Sequence, residues 1–326
     1  MIKRNLIKRV MAAGAIMAVT LSLAGCGISG SSVKLGAAGV GGGYYAFSNA
    51  FAQIASEENE DLDFEVKVTA GSTANIRLLS DGYVDMAIAQ ADLVDAAYNG
   101  TGATDKKRYR GYSAVASLYT EACQIVVRVD SGIDSLDDLQ GKKVSVGEEE
   151  SGTQRNAEQI LKMTGLVESL VDTVNLDYVD AANELKSGQI DAFFCTAGIQ
   201  TSVIEELSKE CAVKLIGIDD KCRDRLKSVY GFYTDYTIPA GTYEGQDQDV
   251  ETLGVRAVLL ARDDMDEEIV EKLTGLLFEH SQDIQYSIPL TFQIDESEAV
   301  KNVTIPFHDG AKAYYQKKGI EIPAEQ

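Results

Sequence analysis

Residues 33–45 read VKLGAAGVGGGYY, a short strand pattern that runs through a glycine-rich turn into a helix pattern. Val33–Leu35 reads as a strand, and Tyr44–Glu58 carries apolar residues at helical spacing. The turn fits neither nucleotide-binding motif, because Tyr44 stands where the dinucleotide pattern needs a glycine and no Gly-Lys-Ser/Thr follows. It therefore predicts either backbone N–H groups aimed at an anion such as a carboxylate, or a tight strand–helix connection chosen for flexibility alone.

The same strand–glycine–helix construction occurs twice more. Ala70-Gly71-Ser72 opens a helix that contains Asn75, and Ser151-Gly152-Thr153 opens another. Ser72, Ser151 and Thr153 each suit an ordinary helix N-cap, and that role alone would explain any one of them. Three such turns at the carboxyl ends of strands favour one shared ligand-binding edge.

Strand and helix patterns alternate along the rest of the chain, which indicates a parallel sheet. With 326 residues the chain is long enough for two α/β lobes. We predict that residues 33–121 form the first lobe, that 122–262 form the second, and that 263–326 return to the first lobe and end in a tail. The further predicted strands are Phe64–Thr69, Met86–Ala89, Gln124–Arg128, Lys143–Gly147, Thr173–Tyr178, Ala192–Thr196, Lys214–Ile218 and Gly254–Ala261.

Two polar segments adjoin these turns. Gln90-Ala91-Asp92 follows a strand, so its side chains are expected at the cleft edge, where they offer an acceptor for an ammonium group; a solvated loop carboxylate is the equal alternative. Glu148-Glu149-Glu150 immediately precedes Ser151. Such a charge run usually marks a solvated face, although its position also suits the rim of a cleft.

The N-terminus carries an export signature. Residues 1–9 are basic, residues 10–23 are apolar, and Leu23-Ala24-Gly25-Cys26 ends the segment. This order predicts a signal peptide over residues 1–25, and its ending resembles the lipobox of bacterial lipoproteins, with Cys26 lipidated and residues 26–32 as anchor and spacer. An ordinary signal peptide with an accidental cysteine and a short membrane anchor are the alternatives.

Composition excludes several function classes. A formal net charge of −21 argues against nucleic acid and anionic lipid surfaces as partners. Cys123 and Cys195 lie in apolar strand patterns and are expected as buried thiols, whereas Cys211 and Cys222 could pair. Only two histidines occur and no nucleophile motif is found, so no metal, no cofactor and no enzymatic activity are expected.

The ordered set of motifs resembles the TAXI family, the solute-binding receptors of TRAP (tripartite ATP-independent periplasmic) transporters, from about residue 34 to residue 319. The matching segments are Gly39–Tyr45, Gly71-Ser72 with Asn75, Asp85 with Gln90-Ala91-Asp92, Ser117-Leu118-Tyr119, Ser135–Gly147, Ser151-Gly152-Thr153, Ile238–Tyr243, Ile305–Ala311 and Tyr314-Tyr315. Two departures are Glu148–Glu150, where many members have Ala-Pro-Gly, and Gln200, where a proline is common after Ala197-Gly198-Ile199. Three acids beside a carboxylate pocket are expected to weaken the binding of a dianion unless they point away.

The resemblance implies a type II periplasmic-binding-protein fold with a ligand cleft between hinged lobes. It implies a monomeric, lipid-anchored receptor outside the cell membrane that captures a small organic anion, glutamate or another carboxylate, for a TRAP permease. The expected ligand-binding residues are Gly42, Gly43, Tyr44, Ser72, Asn75, Gln90, Asp92, Tyr119, Ser151, Thr153 and Gly198. A receptor for an ABC importer, a surface hydrolase and a sensor or adhesin are the alternatives.

Overall fold

The computed structural model describes residues 31–59, 62–102, 106–167, 169–288 and 294–323. Cys26 and the predicted signal segment lie outside the described residues. The described chain forms one mixed sheet with helices on it. The strands are β1 Ser31–Gly36, β2 Leu62–Lys67, β3 Met86–Gln90, β4 Tyr112–Arg128, β5 Lys143–Ser145, β6 Asp172–Val174, β7 Ala192–Ala197, β8 Val213–Leu215, β9 Thr234–Ile238 and β10 Val250–Arg262.

Helices follow most of these strands. They are α1 Gly43–Glu57, α2 Ser72–Ser80, α3 Ala91–Asn99, α4 Gly152–Thr164, α5 Tyr178–Ser187, α6 Ser202–Glu210, α7 Asp220–Val229, α8 Glu267–Glu279, α9 Ser281–Ser287 and α10 Asp309–Lys318, with short 3₁₀ turns at Val129–Ser131 and Leu136–Leu139. The predicted strand Thr173–Tyr178 is shorter than expected, because the Asp177 side chain accepts a hydrogen bond from the Asp180 N–H and starts α5 at Tyr178.

The two long strands β4 and β10 organise the sheet. The strand order is β2-β1-β3-β10-β4-β7-β5-β6, with β8 on β4 and β9 on β10. The ends of the sheet are parallel, as the alternation of strands and helices predicts, but β10 runs antiparallel to both β3 and β4. The expectation of an all-parallel sheet is therefore wrong at its centre, where two strands cross the whole molecule.

These crossings separate two hydrophobic cores. The first combines β1–β3, β4 up to Tyr119, β10 from Ala257 onward, and α8 and α10. The second region holds Cys123 and the following residues of β4, β5, β7, α4 and β10 up to Val255, with a smaller cluster under α5 and α6. Each core thus belongs to one side of the molecule, and β4 and β10 are the connections between them. The lobe boundaries predicted at 121/122 and 262/263 fall within β4 and at the end of β10.

The four described cysteines are free thiols. Cys123, Cys195 and Cys222 are buried, and Cys211 is partly buried. Burial raises the pKa of Cys222 to about 11 and that of Cys123 to about 12, so these groups remain protonated thiols near neutral pH. The alternative of a Cys211–Cys222 disulfide is not realised.

Candidate functional site

Three helix N-termini meet at a cleft between the two cores. α1 and α2 approach from the first core and α4 from the second, each directly after a glycine-containing turn. The lining residues are Ala38, Gly39, Gly42, Gly43, Tyr44, Ala70, Gly71, Ser72, Gln90, Glu121, Glu148, Ser151, Gly152, Thr153, Asp177, Tyr178 and Thr196. Helix N-termini present unpaired N–H groups and a partial positive charge. No side chain caps the N-terminus of α1, which leaves it open to a ligand.

The structure holds this cleft closed. The cavity that remains measures about 40 Å³, which is room for about one water molecule. Beside the cleft, the hydroxyl groups of Thr201 and Ser202 in one lobe donate to the Gly41 carbonyl in the other, at 3.0 and 3.2 Å. A small solute therefore enters only after the lobes separate.

Glycines permit this close approach. An added Cβ at Gly152 would lie 2.5 Å from the side chain of Gln90, on the opposite side of the cleft. A Cβ at Gly42 would lie 3.1 Å from the ring of Tyr178, again across the cleft. These glycines leave the space that the lobes need in order to close. From the sequence alone this role looks the same as a need for backbone flexibility in the turn.

The hydroxyl residues predicted from the turns divide into separate roles. Ser151 is the N-cap of α4 and accepts from the Gln154 N–H at 2.9 Å. The Ser72 hydroxyl accepts from the Gln90 N–H at 3.1 Å, and the Thr153 hydroxyl accepts from the Thr196 N–H at 3.2 Å. All three residues line the cleft, and the hydroxyl group of each also holds a backbone N–H group of another residue in place.

Gln90 lies at the centre of a buried polar network. Its Nε2 donates to Asn156 Oδ1 across the cleft at 3.0 Å, while Asn156 Nδ2 donates to the Tyr233 hydroxyl at 2.8 Å. The Tyr233 hydroxyl in turn donates to Gln159 at 2.6 Å. Gln90 is only 2% exposed, and its Oε1 has no hydrogen-bond partner.

Glu121 also lines the cleft, although no sequence motif points to it. It lies in β4 between the two cores, is 3% exposed, and accepts a 2.6 Å hydrogen bond from the Tyr44 hydroxyl. Burial raises the pKa of Glu121 to about 8, and the nearby charge of Asp92 adds to this effect. The available sequence signal is one glutamate in the otherwise uncharged run Tyr112–Val127. Charged residues are rarely buried in strands without a partner or a function.

We expect the closed arrangement to lose about 2 kcal/mol of stability against unfolding between about pH 6 and about pH 8 through Glu121. Native Glu121 keeps its proton up to a pKa of about 8, whereas an unfolded glutamate ionises near its ordinary value of 4.5. The stabilisation is therefore complete below the unfolded pKa and is lost as the pH rises through the native one. Urea unfolding at several pH values measures it, and Glu121→Gln should flatten the profile while Glu149→Gln at an exposed position should not.

Four predicted ligand residues lie outside the lining of the cleft. Asn75 is fully buried behind it and binds backbone carbonyl groups. Tyr119 packs against Phe47 in the first core, and Gly198 follows β7. Asp92 does not lie in a loop. It lies in the first turn of α3, where burial raises its pKa to about 6.

The acidic triplet divides into three different environments. Glu148 lines the cleft, and burial raises its pKa, with Asp177 as a second cause. Glu149 is exposed, as a solvated face predicts. Glu150 has a φ of 64°, an uncommon conformation for a residue other than glycine.

Glu150 joins the lobes directly. Its carbonyl oxygen accepts from the N–H groups of Thr73 and Ala74, the first turn of α2, at 3.1 and 3.2 Å. Its carboxylate accepts two hydrogen bonds from Arg77, at 3.1 and 2.6 Å. Both side chains are about two-fifths exposed, so this pair is screened by solvent.

We expect Arg77→Ala to weaken solute binding about 5-fold. The exposed bidentate pair with Glu150 stabilises the closed arrangement by about 1 kcal/mol and does not stabilise the open one. Isothermal titration at low and high salt measures this, and added salt should reduce the difference from wild type. Lys186→Ala is the matched control, since Lys186 pairs with Glu210 at 2.6 Å within one lobe. Equal effects of the two substitutions would contradict a cross-lobe role.

A larger groove of about 630 Å³ lies between α1, α5 and α6. Its charged lining residues are Lys186, Glu206 and Glu210, and two of them, Lys186 and Glu210, pair with each other. The smaller cleft is the better candidate, because buried polar side chains and helix N-termini converge on it.

Comparison with known proteins agrees with this geometry. A model of the NMT1-like family matches residues 35–319. The chain belongs to the NMT1-like family.

Three solved structures resemble this NMT1-like protein over most of their length. A protein of Bordetella bronchiseptica RB50 is 15% identical, with 88% of this chain and 98% of that chain covered and a TM-score of 0.58.

The second structure is described as a periplasmic transporter and is 13% identical, with 90% of this chain and 98% of that chain covered and a TM-score of 0.55. The third is a putative L-cystine ABC transporter from Listeria monocytogenes, 14% identical, with 82% and 99% covered and a TM-score of 0.51. At these identities the likeness establishes the fold. The NMT1-like chain has the two-lobed α/β fold of type II periplasmic binding proteins, as the resemblance implied.

Within the described part of the NMT1-like chain, no helix has the length and apolarity needed to cross a membrane. Nor do His, Cys, Asp and Glu side chains in the described ranges form a group that could hold a metal ion.

Proposed function

We propose that the chain is an extracytoplasmic solute-binding receptor that closes its two lobes around a small molecule and delivers it to a membrane transporter. The cleft carries this proposal: it lies between two cores joined by β4 and β10, and cross-lobe hydrogen bonds such as Gln90 to Asn156 exist only when it is closed. A solute that contacts both lobes favours the closed arrangement by its differential affinity. No catalytic nucleophile is needed for this activity.

We further propose that the transporter is a TRAP permease driven by an ion gradient and that Cys26 carries a lipid anchor. The ordered motifs of the TAXI family support the permease, and the Leu-Ala-Gly-Cys ending supports the anchor. The short spacer at residues 27–32 would then keep the receptor near its permease and raise the local concentration. The uncapped N-terminus of α1 suits a carboxylate group on the solute.

An ABC importer is the second candidate, because one of the similar folds is described as a putative ABC transporter. The energy source of uptake distinguishes a TRAP permease from an ABC importer. Uptake that stops when the ion gradient is collapsed while ATP is maintained indicates a TRAP permease, and uptake that continues indicates an ABC importer.

Native mass spectrometry of the purified protein should reveal a co-purified solute. Small-angle scattering then tests closure: we expect the solute-free protein to have a larger radius of gyration than the saturated protein. Identical profiles with and without a bound solute would contradict the receptor mechanism.

A further inference from the structure

The described lining of the cleft is rich in hydrogen-bond acceptors and poor in positive charge. It contains the carboxylates of Glu121, Glu148 and Asp177, and neither a lysine nor an arginine. A carboxylate in such surroundings is unfavourable unless it is protonated or meets a positive group. The cleft is therefore suited to a positive charge from outside the protein.

Gln90 supplies an independent observation. Its side chain lines the cleft and is only 2% exposed, and its acceptor Oε1 has no hydrogen-bond partner. Buried side-chain oxygens are usually paired in native structures. The Asn156 contact occupies Nε2 and so turns the amide oxygen away from the network. A hydrogen-bond donor on a bound solute would complete this group.

The nearest arginines are engaged elsewhere. Arg77 pairs with Glu150, and Arg155 lies 3.6 Å from Glu158 on its own helix. Neither belongs to the lining of the cleft. Because no His, Cys, Asp and Glu group in the described ranges could hold a metal ion, an organic cation is the partner that these acceptors suit.

We propose that Glu121 and the Gln90 carbonyl oxygen bind a positively charged nitrogen of the solute, so that the receptor takes zwitterionic or cationic compounds and excludes dianions. This inference rests on the receptor function and names its substrate class. An ammonium group donates to both acceptors, and the Tyr44 hydroxyl keeps its hydrogen bond to the other carboxylate oxygen. Any carboxylate of a zwitterion would lie toward the N-terminus of α1.

Binding of a fixed positive charge then displaces the proton of Glu121 to solvent. In the closed arrangement without a positive group, burial raises the pKa of Glu121 to about 8, so its carboxyl group keeps this proton at neutral pH. The titratable groups that face Glu121 are Tyr44, Tyr119, Asp92, Tyr178, Cys123 and Cys195. Burial raises the pKa of each of these groups, so that Asp92, at about 6, is the only other one among them to titrate near neutrality.

A thermal-shift screen of purified wild-type protein tests the substrate class with four pools of compounds: amines, zwitterionic amino acids and betaines, uncharged polar compounds, and dicarboxylates. We expect the amine or zwitterion pool to raise the unfolding temperature of the wild-type protein. Glu121→Gln should lose this stabilisation, and Glu148→Gln is a second variant in which we expect the same loss. Glu149→Gln, at an exposed position of the same acidic triplet, should behave as wild type. Circular dichroism confirms that the variants fold.

Each outcome has one meaning. Stabilisation by dicarboxylates alone or by uncharged polar compounds alone overturns this inference and leaves the receptor function standing, whereas no stabilisation by any pool overturns both. For each binder, an analogue with a hydroxyl group in place of the ammonium should bind at least ~100-fold more weakly, because a hydroxyl group donates a single hydrogen bond, leaves one buried acceptor unsatisfied and carries no positive charge. Equal affinity of the pair, or an unchanged affinity in Glu121→Gln, also overturns the proposal.

The pH dependence of a confirmed binder gives a further test. Affinity for a solute with a fixed positive charge should rise up to ~10-fold per pH unit below the native pKa of Glu121, with proton release seen by calorimetry in buffers of different ionisation enthalpy. An anion held by protonated Glu121 would give the opposite slope. Glu121→Gln should abolish the slope, and a slope that persists there would assign it to another carboxyl group, Asp92 or Glu148, and overturn the role of Glu121.

Discussion

Gly152→Val should weaken binding of the co-purified solute at least ~100-fold while leaving the stability of the solute-free protein nearly unchanged. Even a single Cβ at Gly152 would lie 2.5 to 2.7 Å from three atoms of Gln90, and valine adds two methyl groups. Gln90 cannot move aside cheaply, because it is buried and hydrogen-bonded to Asn156. In the open arrangement the two residues lie on separated lobes, so the clash acts on closure alone.

Isothermal titration and small-angle scattering together measure this effect. The variant should bind weakly and keep the open profile at solute concentrations that close the wild type. Gly231→Ala is the control, since an added Cβ there meets nothing within 4 Å. Gly152→Ala should fall between the two. Normal affinity in Gly152→Val would mean that the functional closed state is looser than the structure.

The turns could be predicted because glycine and helix-start signals are local. Residues 36–44, 70–72 and 151–153 each show a strand end, a glycine and a helix start within a few positions. Carboxyl ends of strands lie at the ligand-binding edge of α/β sheets, so the prediction that these turns share one site needed no three-dimensional information. The cleft brings all three together.

Long-range pairings could not be predicted in this way. The hydrogen bond from Tyr44 to Glu121 joins residues 77 positions apart, and it depends on β4 crossing from one core to the other. The sequence pattern predicts only the last part of β4, Gln124–Arg128, because the small residues of Tyr112–Cys123 show no clear alternation. Without that strand, Glu121 has no predictable position.

The acidic triplet shows how one charge run can contain several functions. Glu149 behaves as a solvated residue, Glu150 holds the lobes together through Arg77, and Glu148 adds negative charge to the cleft. Composition gives these three residues the same prediction, whereas their backbone positions separate them. Under our proposals, the departure from the usual TAXI pattern at these positions therefore affects both closure and the charge that a solute must carry.

Asn75→Ala should destabilise the solute-free protein by about 3–5 kcal/mol, the largest effect that we expect on stability. The Asn75 Nδ2 donates to the carbonyl oxygens of Ala37 and Ile88 at 2.6 and 2.8 Å, and its Oδ1 accepts from the Thr69 hydroxyl at 2.7 Å. Alanine would leave these buried groups without partners. Ala37 begins the glycine-rich turn, so solute binding should weaken as a consequence of the lost support.

Urea unfolding separates this positioning role from the ligand contact that the TAXI resemblance implies for Asn75. Asn49→Ala is the matched control, because Asn49 is exposed on α1 and bonds only to the Tyr45 carbonyl one turn earlier. That change should be neutral or slightly stabilising, since alanine favours helix. If Asn75→Ala keeps wild-type stability without solute but loses affinity, Asn75 contacts the solute directly. The open cleft would then have to expose a side chain that the closed structure buries completely.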